Sequence, residues 1–507
     1  MLRDYYRTER IKNPVLPAAW RKAPLAYAYR MGYDTGSIFM EEGDDLIDQR
    51  TAERVLLAAL SCGADFSELY LEDTESNVIG MSDGRVENAA YTRRCGAGVR
   101  VLQGTRSAYA YTADTGEAAL LATAKAAAAA LQGAPAGTQV AFAATSFCAP
   151  MDIPFASVDN DRRVRLLREA TGAARAVSAE ITQVQALYMD KVRRTLVCNS
   201  EGVFAAAERP YTRAYLSAIA MQGTEAQTGF EGPGCCRGFE AYTGEIDLNA
   251  RAEEAARTAV TMLHAPDCPA GRLPVVIDGG FGGVIFHEAC GHSLEATSVA
   301  KGDSEFCGKL GQKIAADCVS AVDDGTMPGE WGSIDVDDEG TPSRRNLLIE
   351  NGVLRGYLID LLGARRMGMP VTGSSRRQDY TFAPTSRMTN TFICPGRDDE
   401  AEMIATMGEG LYAKKMGGGS VNPLTGEFNF AVSEGYWVRD GKLLSPVRGA
   451  TLIGRGAEVL QRIDRVGPRM WMGQGMCGSL SGSVPTNVGQ PRIRVTEITV
   501  GGKGGKL

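Results

Sequence analysis

Two periods alternate along the chain, one near 3.6 residues and one of 2. Helical spacing is clearest from Ala250 to Leu263, where Ala252, Ala255, Ala256, Ala259, Val260 and Leu263 recur at intervals of three and four. A second helix is predicted over 159–177, with Leu167, Ala170, Ala174 and Val177 on one face. A third, Ala-rich, spans Thr115 to Leu131 and is closed by Gly133 and Pro135. A fourth begins at Thr51, a residue suited to capping, and carries Val55, Leu56, Ala59 and Leu60 before Gly63. Asp398 is placed to cap a short helix running to Met407. Strand alternation shows at Glu68-Leu69-Tyr70-Leu71-Glu72, and Asp83-Gly84, Asn351-Gly352 and Asp440-Gly441 are hairpin turns. Helices and strands do not alternate regularly. The pattern therefore predicts an α+β fold, with an N-terminal α/β domain and a C-terminal β-rich, mixed-sheet domain carrying the special helix described below.

The Pro- and Gly-containing stretch Ala265 to Gly271 reads as a boundary. It divides an N-terminal domain over 51–264 from a C-terminal domain over 272–507. Residues 1–50 read as an irregular extension with an acidic surface patch at Glu41, Glu42, Asp44 and Asp45. The length of 507 residues agrees with more than one core.

Composition narrows the class. Lys and Arg total 54 against 61 Asp and Glu, a net charge of −7, which excludes a chain that coats nucleic acid by bulk charge. No apolar run is long enough and uncharged enough for a membrane span. Met1 to Pro14 is charged and lacks the apolar stretch of a secretory signal, and the twelve cysteines in so long a chain do not form a disulfide scaffold. A cytosolic setting with reduced thiols is expected.

The scarcest residue is the most informative. There are three His, and two of them, His287 and His292, flank Glu288 five residues apart. They follow a buried strand, Leu273 to Asp278, and a Gly-rich turn. On an ideal α-helix, positions i and i+5 stand about 140° apart, too far for two rings to share one metal. Either the site is not metallic or the helix is distorted. A single π-type turn at Ala289–Gly291 would bring the rings together, and Gly291 is where the chain yields most easily. From spacing alone, a metal pair and two ordinary helix histidines stand level. Cys290 and Glu295 are then equal candidates for a third ligand.

Other signals carry two readings each. Gly417-Gly418-Gly419 offers bare backbone for an extended peptide to pair with, or a flexible loop. Arg376 and Arg377 suit a peptide carboxylate or carbonyl, or are a surface pair. Asp335, Asp337, Asp338 and Glu339 lack the spacing of a calcium hand and read as a solvated turn. Cys235-Cys236 reads as two ordinary thiols rather than a redox pair, and His264 as structural.

An ordered set of segments breaks the tie at the histidines. His287-Glu-Ala-Cys-Gly-His292, Val322 to Met327, Asp337 to Pro342, Leu348 to Gly352, Arg387 to Thr391, Gly417 to Gly419, Lys442 to Gly454 and Gly475-Met-Cys-Gly478 together resemble the TldD/PmbA, or modulator-of-DNA-gyrase, family. The likeness is to its TldD-like branch; it covers about 50 to 501 and is strongest after 270. The resemblance implies a zinc-dependent peptidase holding one Zn²⁺ per catalytic chain. The resemblance implies that His287, His292 and Cys477 are its metal ligands and Glu288 its general base. It further implies a homodimer, or a heterodimer with a PmbA/TldE-like subunit, enclosing a cavity. The expected substrates are extended, unfolded or small peptides of the leader-peptide or antitoxin type. It also favours substrate contact at Gly417 to Gly419. The alternatives are a non-enzymatic modulator and a cysteine hydrolase using Cys290. No nucleic-acid or membrane partner is expected.

Overall fold

A computed structural model describes residues 46–135, 139–422 and 425–504. The acidic patch and most of the 1–50 extension therefore lie outside the described residues. Four strands dominate the first half: Phe66–Ser82, Arg85–Gln103, Ile181–Asn199 and Val203–Gln222, of 17 to 20 residues each. Ordinary strands have about five or six. They lie in one eight-stranded sheet, in the order Arg106–Thr112, Arg85–Gln103, Phe66–Ser82, Ile181–Asn199, Val203–Gln222, Ala143–Cys148. Only the last strand runs parallel to its neighbour. Asp83 and Gly84 both have positive φ, as a two-residue hairpin turn requires.

One face of this sheet carries helices at both ends. Gln49–Ala59 and Glu117–Ala128 cover Leu69, Leu71, Val99, Val101, Leu196 and Cys198. Asn160–Ala176 and Leu248–Leu263 cover Ile79, Met81, Val184, Ala186 and Tyr188. The predicted helices are present, with two caps displaced. Asp48, not Thr51, caps the first helix and accepts the Thr51 N–H. Asp399 caps Glu400–Ala405, while Asp398 pairs with Arg465.

The opposite face carries Glu68, Tyr70, Glu72, Arg100 and Arg193, and it is buried too. It is covered from the second half of the chain by Asp337, Asp338, Glu339 and Arg377, all buried, so the expected solvated turn is instead interior. Arg377 donates to Glu68 at 2.6 Å and to the Asp338 carbonyl at 2.7 Å. Arg100 bridges Glu68 at 2.6 Å and Glu339 at 2.7 Å. Buried charges persist only when so paired.

Burial, with Asp360 and Glu68 nearby, pushes the Glu339 carboxyl up to about 7 despite the attraction of Arg100. Its ordinary value is 4.5, so between about 4.5 and 7 the folded chain binds more protons than the unfolded one. Stability from this group therefore falls as pH rises through that window. Glu339→Gln, which cannot ionise, is expected to flatten the slope. Urea midpoints of wild type and variant at pH 5 and pH 7.5 measure it; equal slopes would refute the assignment.

The second half is strand-rich, as the α+β class with a β-rich C-terminal part requires. Gly271–Ile277 runs parallel to Gly410–Asn422 and antiparallel to Ile493–Gly501. Ile493–Gly501 pairs with Thr451–Arg455, that strand with Glu427–Arg439, and Glu427–Arg439 returns to Gly410–Asn422. Five strands thus close a circuit. A separate six-stranded sheet ends in the hairpin Trp471–Ser479 and Gly482–Gln490. The largest core unites residues of both with the segment 284–296.

Candidate metal centre

The strand Gly271–Ile277 ends at a turn, and the chain then rises through Val284–Phe286 into a π turn over His287–Gly291. The His292 N–H donates to the His287 carbonyl, the i to i+5 bond that widens a helix. The widened turn brings the two imidazoles together, with centroids 5.2 Å apart and planes at 80°. This is the distortion a shared metal requires of that spacing, but Gly291 does not supply it by a loosened backbone. Gly291 keeps ordinary helical torsions, φ −56° and ψ −52°. Its missing Cβ instead leaves room for the Met388 side chain.

Cys477 arrives from the hairpin, on the strand Trp471–Ser479. Its approach depends on close backbone contact: a Cβ on Gly283 would lie 2.6 Å from the backbone of Gly489. The Cys477 Sγ stands 3.3 Å from His287 Nε2 and 3.2 Å from His292 Nε2. Among the described residues these three form a group whose donor atoms all lie within 4.8 Å of one another. His287 and Cys477 are buried and His292 is partly so.

Burial works against charge here, but the pair overcomes it. Desolvation raises the Cys477 thiol, yet His292 and His287 beside it hold it well below its usual 9.0. Desolvation lowers His292, yet Glu295 and Cys477 hold it well above 6.5. The Glu295 carboxylate lies 3.2 Å from His292 Nδ1, which leaves Nε2 turned toward the sulfur. Glu288 is on the open side: its side chain is 30 % exposed, with Oε2 3.8 Å from His292 Nε2. Cys290 faces the core, and burial pushes its thiol far up. It is neither a third donor nor an activated nucleophile.

The donor chemistry fits zinc. Two imidazole nitrogens and a thiolate around a tetrahedral ion, with Zn–N near 2.0–2.1 Å and Zn–S near 2.3 Å, would stand about 3.5 Å apart, nitrogen to sulfur. The observed separations of 3.3 and 3.2 Å are close to that.

The remaining sequence candidates lie elsewhere. Arg376 is buried and donates to the carbonyls of Met388 and Pro485 at 2.9 and 2.6 Å. Arg377 belongs to the buried ion network. Neither is a surface pair, and neither guanidinium is free to meet a peptide carboxylate; both readings give way to a structural one. Gly417 and Gly418 sit in a bulge where Gly410–Asn422 loses register with its partner, and Gly418 and Gly419 are exposed. His264 pairs with Glu180 at 2.9 Å, and Cys235 and Cys236 are buried thiols pushed up to about 12. Two residues hold the centre from behind: Glu295, a candidate ligand by spacing, instead lies on His292, and Arg387, given no role by the sequence, lies on the Cys477 carbonyl.

Residues 270–502 match the PmbA/TldA metallopeptidase C-terminal domain, 153–263 its central domain and 67–131 its domain 1. The metalloprotease TldD homologue of Haemophilus influenzae is 36% identical over 449 residues, covering 86% of this chain and 93% of that one. A zinc metalloprotease TldD homologue of Saccharolobus solfataricus is 30% identical over 261 residues, 51% of this chain and 58% of its own. The crystal structure of TldE from Thermococcus kodakarensis shares the fold, with TM-score 0.71 at 18% identity, over 89% of this chain and 99% of that one. The chain belongs to the PmbA/TldD metallopeptidase family.

Proposed function

We propose that this chain is a zinc-dependent peptidase of the TldD-like branch, with one Zn²⁺ held by His287, His292 and Cys477. The observation that carries this reading is the meeting of two Nε2 atoms and one thiolate beside a half-open carboxylate. Zinc bound there supplies Lewis acidity, acidifying a water and polarising a scissile carbonyl. Glu288 takes the proton of the attacking water and delivers it to the leaving amine. Glu295 keeps the His292 ring oriented. The name of the Saccharolobus solfataricus relative supports the choice of metal.

The substrates in this reading are unfolded or small peptides, of the leader-peptide or antitoxin kind. They enter extended past the exposed Gly418, which lies in the break of register between its strand and the next. The working unit is a dimer, with a second copy or a TldE-like subunit, and the compartment is the cytosol. All twelve cysteines are free, which suits reducing conditions. Among the described residues, no helix is long and apolar enough to cross a membrane.

The test is hydrolysis of an unfolded peptide by the purified protein, alone and with the TldE-like subunit. Chelation is expected to abolish cleavage and added zinc to restore it. Cleavage that resists the chelator would sink the reading. So would a zinc-loaded protein that never cleaves, as a non-enzymatic modulator would behave.

A further inference from the structure

The hairpin that carries Cys477 is rich in glycine. Gly473, Gly475 and Gly478 are on the outgoing strand, and Gly482 and Gly489 on the return. Such a strand has little side-chain packing of its own and high backbone freedom when unfolded. Something else must fix the thiolate to a fraction of an ångström, because metal affinity depends on it.

Arg387 is placed to do so. It is buried with no exposed surface, and its guanidinium reaches three points of the hairpin tip. Nη2 donates to the carbonyl of Cys477 itself. Nη1 donates to Ser481 Oγ at 2.9 Å and to the Gly482 carbonyl at 2.8 Å. The strand bearing the sulfur, the turn and the returning strand are thus tied to one planar group. Arg387 is itself anchored, its N–H donating to the Ser374 carbonyl at 2.9 Å. Arg376, nearby, holds the return strand at the Pro485 carbonyl, 2.6 Å away. Met388, next in sequence, fills the space beside Gly291 in the π turn. The segment 387–388 therefore touches both halves of the centre.

We infer that Arg387 is a positioning residue for the thiolate ligand, setting where the Cys477 sulfur stands relative to the two imidazoles. This rests on the zinc reading above. A guanidinium fork is needed: an ammonium at the same place supplies a point charge and cannot hold separate acceptors in a fixed plane.

The experiment measures zinc affinity by chelator competition, together with the near-ultraviolet thiolate-to-metal band of the cobalt-substituted protein, in wild type, Arg387→Met, Arg387→Lys and Ser481→Ala. Arg387→Met is expected to lose about 10- to 100-fold in zinc affinity and to weaken the cobalt band even at saturating metal. Arg387→Lys should fall between it and wild type, and Ser481→Ala should lose less than about tenfold. A purely structural arginine would lower the unfolding midpoint of the metal-free protein and leave affinity and band unchanged; that result overturns the inference. If Arg387→Met does not fold, Arg387→Lys and Ser481→Ala decide, and wild-type affinity in both overturns it. A wild-type protein that binds cobalt with no thiolate band would instead strike at Cys477 as a ligand, and so at the zinc reading beneath.

Discussion

Glu288→Gln is expected to bind zinc as wild type does and to lose roughly 10²- to 10⁴-fold in the rate of peptide cleavage, the usual worth of a positioned general base. Glutamine keeps the shape of the side chain and removes its ability to take a proton. Glu288 is not one of the three converging donors, and its carboxylate stands 3.8 Å from His292 Nε2 on the solvent side. The exchange should therefore separate chemistry from metal binding. Single-turnover rates at saturating peptide, with zinc content measured on the same sample, make the comparison. A variant that cleaves at the wild-type rate would remove Glu288 from the mechanism. It would also revive a cysteine-based hydrolysis, which the buried, strongly raised Cys290 thiol otherwise opposes.

Cys477→Ala should act on the other half of the problem. It removes the sulfur that stands between the two rings and leaves only two nitrogens. Loss of an outer partner alone costs about 10- to 100-fold in metal affinity, so loss of a ligand should cost on the order of a hundredfold or more. It also removes the negative charge that helps hold His292 protonated in the metal-free protein. The variant, purified under conditions that leave wild type loaded, is expected to retain little zinc. Equal zinc in both would reject the thiolate as a ligand.

How much of this was written in the sequence differs from residue to residue. The helices over 160–176 and 248–263 were legible because each buries one stripe, and a stripe is a local property. Caps were less so: Asp48 and Thr51, or Asp398 and Asp399, are equally good oxygen acceptors, and tertiary partners such as Arg465 decide between them. The i to i+5 spacing called for a distorted helix only if the two rings share a metal, and the family resemblance decided that condition. The acidic run at 337–339 was misread for a clear reason. Its counter-charges, Arg100, Arg193 and Arg209, lie more than a hundred residues earlier, and the alternation in Glu68 to Glu72 looks the same whether its polar face meets water or a buried turn. Cys477 was one of twelve thiols until a family resemblance singled it out. Arg376 and Arg377 looked available because nothing local shows that carbonyls from the hairpin and from Asp338 already claim them.

The two imidazoles and the sulfur are separated by 190 and 185 residues of chain. On the ribosome, domains form in order of emergence, at about 5–20 residues per second. The nitrogen pair is thus made many seconds before its third partner. Even then the five-strand circuit lacks Ile493–Gly501, the strand between Gly271–Ile277 and Thr451–Arg455. The three donors are all translated only once Cys477 is made, and the sheet beneath the π turn is completed only by that later strand. A peptidase of the kind proposed would, by this order of assembly, be harmless to itself and to its neighbours on the polysome while it is still unfolded.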